Sequence, residues 1–449
     1  MRNDKNRVWM NHVRSLLLAS LLIAIVAVEA SAQDLKVTER VLPNGLKVLL
    51  REEHKSPVVT FQIWYKVGSR NERLGRTGIS HLLEHMMFKG AKKYGPKQFS
   101  QTVQRNGGND NAFTGKDYTA YFENFAADRL EIAMDLESDR MQNLLLDDKE
   151  FLSERDVVKE ERRMRTEDDP SSAMSEQMMA TAFSAHPYQW PVIGWMADIG
   201  NITRDDLEKH YRTYYAPNNA AIVVAGDFDS TKVLALVEKY FGRVPRGTEV
   251  PKVGAVEPAQ MGEKRVIVKR EAELPVVYAG YKAPNLANKD SFALNVLQGI
   301  LSAGKSSRLY RALVYEKQIA LYAGGEYNDV SADPNLFTLY AGVMPGKSVD
   351  EVEKALYAEI ERFKTEPVTD EELQKAKNQA EASFIMSQDS VFYQAMLLGQ
   401  FETVASWKYL ETYLDNIRAV TKEDVRRVAR QYFGEDNRTV GILLPVKGK

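Results

Sequence analysis

The chain of 449 residues is 44% hydrophobic and 27% charged, which is enough apolar sequence for a large core and more than one ordinary domain. Its formal charge of −2 at pH 7 gives no long-range attraction to nucleic acid or an anionic membrane, and neither is expected as a partner. The absence of cysteine excludes a disulfide framework and a lipid-attachment cysteine.

In chain order, Arg2, Lys5, Arg7 and Arg14 precede the apolar run 16–28, and Ala30-Ser31-Ala32 supplies small residues before Gln33. This is the layout of an export signal, too short to span a bilayer comfortably. Residues 1–32 are therefore expected to be a signal peptide, with the mature protein periplasmic in a Gram-negative source, or secreted, and not stably inserted in a membrane. The stretches LKVLLRE (46–52) and PVVTFQIWYKVG (57–68) are rich in β-branched and aromatic residues and read as strands. Apolar spacing predicts helices over 77–88, 128–142, 148–166 and 203–215, followed by a buried strand over 220–228. Prolines and glycines in 244–262 suit an extended linker. It separates an N-terminal domain, 33–243, from a C-terminal one, 263–449.

The second half repeats the first. ITRDDLEKHYRTYYAPNNAAIV aligns without gaps on VTKEDVRRVARQYFGEDNRTVG, pairing Thr203 with Thr421, Asp206 with Asp424, Arg212 with Arg430, Tyr214 with Tyr432 and Asn219 with Asn437. An internal duplication is expected, giving two homologous mixed α/β domains in the α+β class.

Within HLLEHMMFKG (81–90), His81 and His85 stand four apart and project from one helix face. Imidazoles at that spacing can converge on one Zn²⁺, with the adjacent Glu84 polarising its water without being a ligand. A catalytic zinc needs a third protein ligand. The charged helix SERDVVKEERRMRTEDDP offers candidates in Glu154 and Glu161, two turns apart on one face, a pair that could place one acid on the metal and the other behind a histidine.

HLLEHMMFKG followed by ERDVVKEERRMR resembles the pitrilysin, or inverzincin, family of zinc peptidases, which includes insulin-degrading enzyme and the mitochondrial processing peptidase. GGNDNAFTGKDYTAYFENF, HPYQWPVIG and YYAPNNAAIVVAGDF extend the likeness through the first half and, more weakly, into the second. The resemblance implies the LuxS/processing-peptidase metallohydrolase fold and an endopeptidase that hydrolyses extended peptides or unfolded segments in a closed chamber. It places the third ligand on Glu161, 76 residues past His85, rather than on Glu160, and makes Glu154 the auxiliary acid. His81, His85 and Glu161 would hold one Zn²⁺ per chain, while Glu84 takes a proton from the bound water and later passes one to the leaving amine. Asn111, Ala112, Phe113 and Thr114 resemble the edge strand that binds substrate by strand addition. His186 reads as structural.

The second half has no H-x-x-E-H and departs from the pattern once more. Tyr322 matches the family's carbonyl-binding tyrosine, but Tyr315 stands where single-chain members carry an arginine, with Arg308 and Arg311 nearby. This departure, and a length half that of the four-domain members, imply a second chain that closes the chamber: a homologous subunit without the zinc site, or a second copy. The competing expectations are a non-catalytic binding or assembly subunit and a zinc hydrolase of small amides.

Overall fold

Five strands of each half follow one topology. The computed structural model describes residues 35–446, so the expected signal segment lies outside the described residues. In the first half, β1 (Val37–Val41), β2 (Lys47–Glu52), β3 (Val58–Tyr65), β4 (Asn109–Thr114), β5 (Thr119–Ala126) and β6 (Ala220–Gly226) form a sheet in the order β1-β2-β6-β3-β5-β4. In the second, β7 (Lys264–Arg270), β8 (Val276–Ala283), β9 (Ala320–Tyr327), β10 (Asn335–Val343) and β11 (Arg438–Pro445) are ordered β7-β11-β8-β10-β9. β2–β6 and β7–β11 are the parallel pairs, and the remaining pairs are antiparallel. Apart from the added β1, the sheets have the same connectivity, and the architecture is the expected mixed α/β duplication.

The repeated residues have a shared structural purpose. Thr203 and Thr421 cap the helices Arg204–Tyr214 and Lys422–Tyr432 through reciprocal bonds with Asp206 and Asp424. Downstream, Asn219 donates its amide to Tyr214 O at 2.9 Å and Asn437 to Tyr432 O at 2.7 Å, which fixes the turn from helix into the following strand. The segment 244–262 carries no regular element.

Each sheet is covered on one face by helices of its own half and on the other by a helix from the opposite half. Phe61, Ile63 and Tyr65 of β3 enter the first-half core, whereas the alternate residue Trp64 meets the helix Val391–Val404, where a Cβ on Gly399 would lie 2.2 Å from the indole. Reciprocally, Met174 and Met178 of the helix Pro170–Ala182 pack on Gly441 of β11 and Gly280 of β8. β3 is therefore buried on both faces, which accounts for its near-continuous apolar sequence.

The helices end close to the sequence expectations. That over 77–88 is Ile79–Met86, and that over 148–166 stops at Arg162 and continues as a wide π-turn, Arg163–Glu167. Among the described residues, no helix is long and apolar enough to cross a membrane.

Candidate zinc centre

Gly78, at φ +87°, turns the chain sharply into the histidine helix Ile79–Met86. A Cβ there would stand 2.4 Å from Ile193 O. Glu72 accepts the N–H groups of Gly78 at 2.7 Å and Ser80 at 2.8 Å, satisfying donors that a helix start leaves open. His81 and His85 thus emerge one turn apart, with ring centroids separated by 4.7 Å.

The acid helix Asp148–Arg162 packs across them. Glu161 Oε2 lies 3.4 Å from His85 Nε2 and 3.8 Å from His81 Nε2. Each of the three residues offers a ligand atom within 4.8 Å of the other two. Glu161 Oε1 accepts from Arg165 at 2.7 Å. The preceding Glu160 points to solvent and pairs with Arg163 at 2.6 Å, so the geometry brings Glu161, not Glu160, to the histidines.

Behind the rings, His85 Nδ1 lies 2.9 Å from Glu154 Oε1, and Lys89 donates to Glu154 Oε2 at 2.5 Å. A proton on Nδ1 facing that carboxylate leaves Nε2 as the lone-pair nitrogen. His81 Nδ1 is buried without a partner, so its ring turns its accessible nitrogen, Nε2, to the same point. Two imidazole nitrogens and one carboxylate oxygen suit a zinc ion with room for a further oxygen ligand.

Burial, reinforced by the neighbouring His85, lowers His81 to about 4. Burial also opposes charge on His85, but its bonds to Glu154 and Glu161 prevail and raise it to about 9. The bond from His85 holds Glu161 below the ordinary carboxylate range against the effect of burial. In the metal-free protein one imidazolium therefore sits between two carboxylates, and a bound cation would take the place of its proton.

Glu84 lies on the same helix. Burial raises its pKa, and a bond from Thr114 Oγ1 to Glu84 Oε2 at 2.5 Å partly offsets that rise. Thr114 ends β4, the edge strand of the first sheet. Ala112 and Thr114 face the histidine helix side, while Asn111 and Phe113 face the other, where Phe113 meets Trp64 and Tyr118 edge-on. The four residues expected on an edge strand are on one, with their outer backbone groups unpaired in the sheet.

Tyr322 is not in this cluster. It lies half-exposed on β9, the edge of the second sheet, with its ring over Gly342. Arg308 is buried, bound to both oxygens of Glu372 at 2.8 Å and stacked 4.3 Å from the Phe363 ring centroid, so it cannot stand in for the missing arginine. Arg311 pairs with Glu316 and Tyr315 is exposed. His186 caps a short turn: its Nδ1 accepts from the Tyr188 N–H and its Nε2 reaches Asp333 at 3.0 Å, so both nitrogens are in structural use. Sequence reasoning missed Lys89, although its place four residues after His85 carries the same-face signal. It also missed the hydroxyl of Thr114 as a partner of Glu84.

Comparison with known proteins places residues 47–194 in the family model described as Insulinase (Peptidase family M16) and residues 201–380 in that of the Peptidase M16 inactive domain. The chain is 35% identical to the zinc protease PqqE of Helicobacter pylori, over 96% of this chain and 98% of that protein. It is 31% identical to an uncharacterized zinc protease of Mycobacterium leprae, over 91% and 92% of the two chains. The crystal structure of a protease from Helicobacter pylori superposes with a TM-score of 0.88 at 35% identity, covering 91% of this chain and 99% of that one.

Proposed function

Because the chain belongs to peptidase family M16, we propose that it is a zinc-dependent endopeptidase acting on extended peptides or unfolded segments. The observation that carries this reading is the meeting of His81, His85 and Glu161 at one point, with Glu84 beside them and an open strand edge alongside.

His81, His85 and Glu161 would hold the ion. When bound, it supplies Lewis acidity toward the scissile carbonyl and toward water. Glu154 fixes the tautomer of His85. Thr114 occupies Oε2 of Glu84, leaving Oε1 to take a proton from the attacking water and return it to the leaving amine. A substrate laid along Asn111–Thr114 is held by backbone hydrogen bonds, which favours extended chains over folded ones. Thr114 thus joins the substrate strand to the base.

The Glu84→Gln variant tests the assignment: zinc content should persist while peptide hydrolysis falls by about 10³-fold or more. Hydrolysis that survives, or a wild-type protein that takes up no zinc, would defeat it.

The N-terminal sequence supports export, to the periplasm in a Gram-negative source. The occupied Arg308 and the exposed Tyr315 support a second chain that closes the chamber, a homologue without the zinc site before a second copy. A fully active homodimer purified alone would count against the heterodimer.

A further inference from the structure

The shared strand order gives every element of the zinc centre a counterpart in the second half. The helix Asp290–Ser302 follows β8 as the histidine helix follows β3. The acid helix begins on its Asp147 cap and the helix Asp370–Ser387 on its Thr369 cap. Counted from these caps, Glu154 and Glu161 correspond to Ala376 and Ser383. One contact sets the register of the other helix: His85 touches Glu154 and a Cβ placed on Gly299 would lie 3.2 Å from the Ala376 Cβ, which puts Asn-Val-Leu-Gln-Gly, 295–299, against His-Leu-Leu-Glu-His, 81–85.

Replacing an imidazole by glycine and a glutamate by alanine removes volume as well as ligands. A cavity of about 810 Å³ lies there, lined by these residues. Phe384, Phe401, Leu410 and Tyr413 provide apolar wall, and Asp329, a residue only 6% exposed, contributes a carboxylate. Asp329 Oδ2 accepts from the Asn295 amide at 2.9 Å. Among the described residues, no lysine, arginine or histidine lines the cavity and no ion pair neutralises Asp329. A buried carboxylate without a counter-charge is costly, and a ligand cation would relieve that cost. The site is the wrong place for zinc, because the imidazoles and acids that would hold it are gone.

We propose that the second half holds, in place of the metal centre, a binding site for an ammonium or guanidinium group carried on an apolar chain, with Asp329 as the counter-ion. Small amines and basic peptide side chains share this chemistry. The site does not depend on the peptidase reading.

Calorimetric titration of the full chain with 4-phenylbutylamine, 4-phenylbutanol and 4-phenylbutyrate tests it. The amine should bind once per chain with a Kd below about 1 mM, and the alcohol and the acid about tenfold more weakly or not at all. Asp329→Asn, which keeps the oxygen that faces Asn295, should weaken the amine by about tenfold and leave the alcohol within about twofold. Ala376→Leu should fill the cavity and abolish binding, while cooperative unfolding with a melting temperature only a few degrees lower shows that the chain still folds. In the Glu84→Gln background, where hydrolysis is silenced, a blocked peptide with one lysine beside its norleucine twin separates the side-chain source from the free amine. No amine binding in the wild type, or wild-type affinity for the amine in Asp329→Asn or in Ala376→Leu, would overturn the site. If Asp329→Asn fails to fold, Ala376→Leu decides alone.

Discussion

Glu154 holds His85 from behind: its Oε1 lies 2.9 Å from Nδ1 of the ring, so the ring can offer only Nε2 to the point shared with His81 and Glu161. Lys89 holds the other oxygen, and the Glu154 side chain is only 9% exposed. Removing the lysine leaves a buried carboxylate half-paired and free to turn. Lys89→Met should weaken zinc binding by about tenfold in chelator competition, Glu154→Gln by about 10- to 100-fold, and the double variant no more than Glu154→Gln alone. Additive losses would show that Lys89 acts elsewhere.

Thr114 makes a second prediction. Its hydroxyl is the donor to Glu84 Oε2, while its backbone belongs to the edge strand. Thr114→Val keeps the strand and removes the donor, so kcat should fall about tenfold with KM nearly unchanged, and Thr114→Ser should restore most of it. A loss confined to KM would assign Thr114 to substrate binding alone.

The zinc centre was legible to different depths. His81, Glu84 and His85 are local, and a helix period suffices to bring them to one face. Glu161 comes from a second helix, and periodicity could not choose it over the adjacent Glu160. The family resemblance made that choice, and packing explains it, since the neighbouring acid points to solvent. The duplication was legible because the capping boxes of Thr203 and Thr421 repeat side chains as well as pattern. The exchange of helices between the halves was not, because an apolar stripe states that a helix is covered without stating by which sheet. Asp329 was equally silent, since its burial depends on helices far away in sequence.

That exchange yields a stability prediction. Gly399 receives the Trp64 indole, and a Cβ would lie 2.2 Å from it. Gly399→Ala forces the crossing helix off β3 despite alanine's better helix propensity. It should lower unfolding stability by about 1–3 kcal/mol in denaturant titration, whereas a gain would mean the indole moves aside without cost. The histidine and acid helices lie on the other face of this sheet, so zinc affinity of the folded variant should be retained.

Glu257 predicts how the fold responds to acid. It accepts the N–H groups of Ser184, Ala185 and His186 at 2.9–3.0 Å and pairs with Lys282 at 2.8 Å, tying the segment between the halves to the loop that precedes the His186 turn. Burial alone would raise its pKa, but Lys282 and the three amides outweigh that effect and pull it from 4.5 to about 2. The folded value is the lower one, so the stabilisation is complete above the ordinary value of 4.5 and disappears as pH falls through about 2. The full contribution is at most about 3 kcal/mol. Glu257→Gln should therefore cost stability at pH 7 and become nearly neutral near pH 2, as read by the difference in denaturation midpoint between variant and wild type at each pH. A difference that stays constant over that window would mean that Glu257 contributes through its shape and not through its charge.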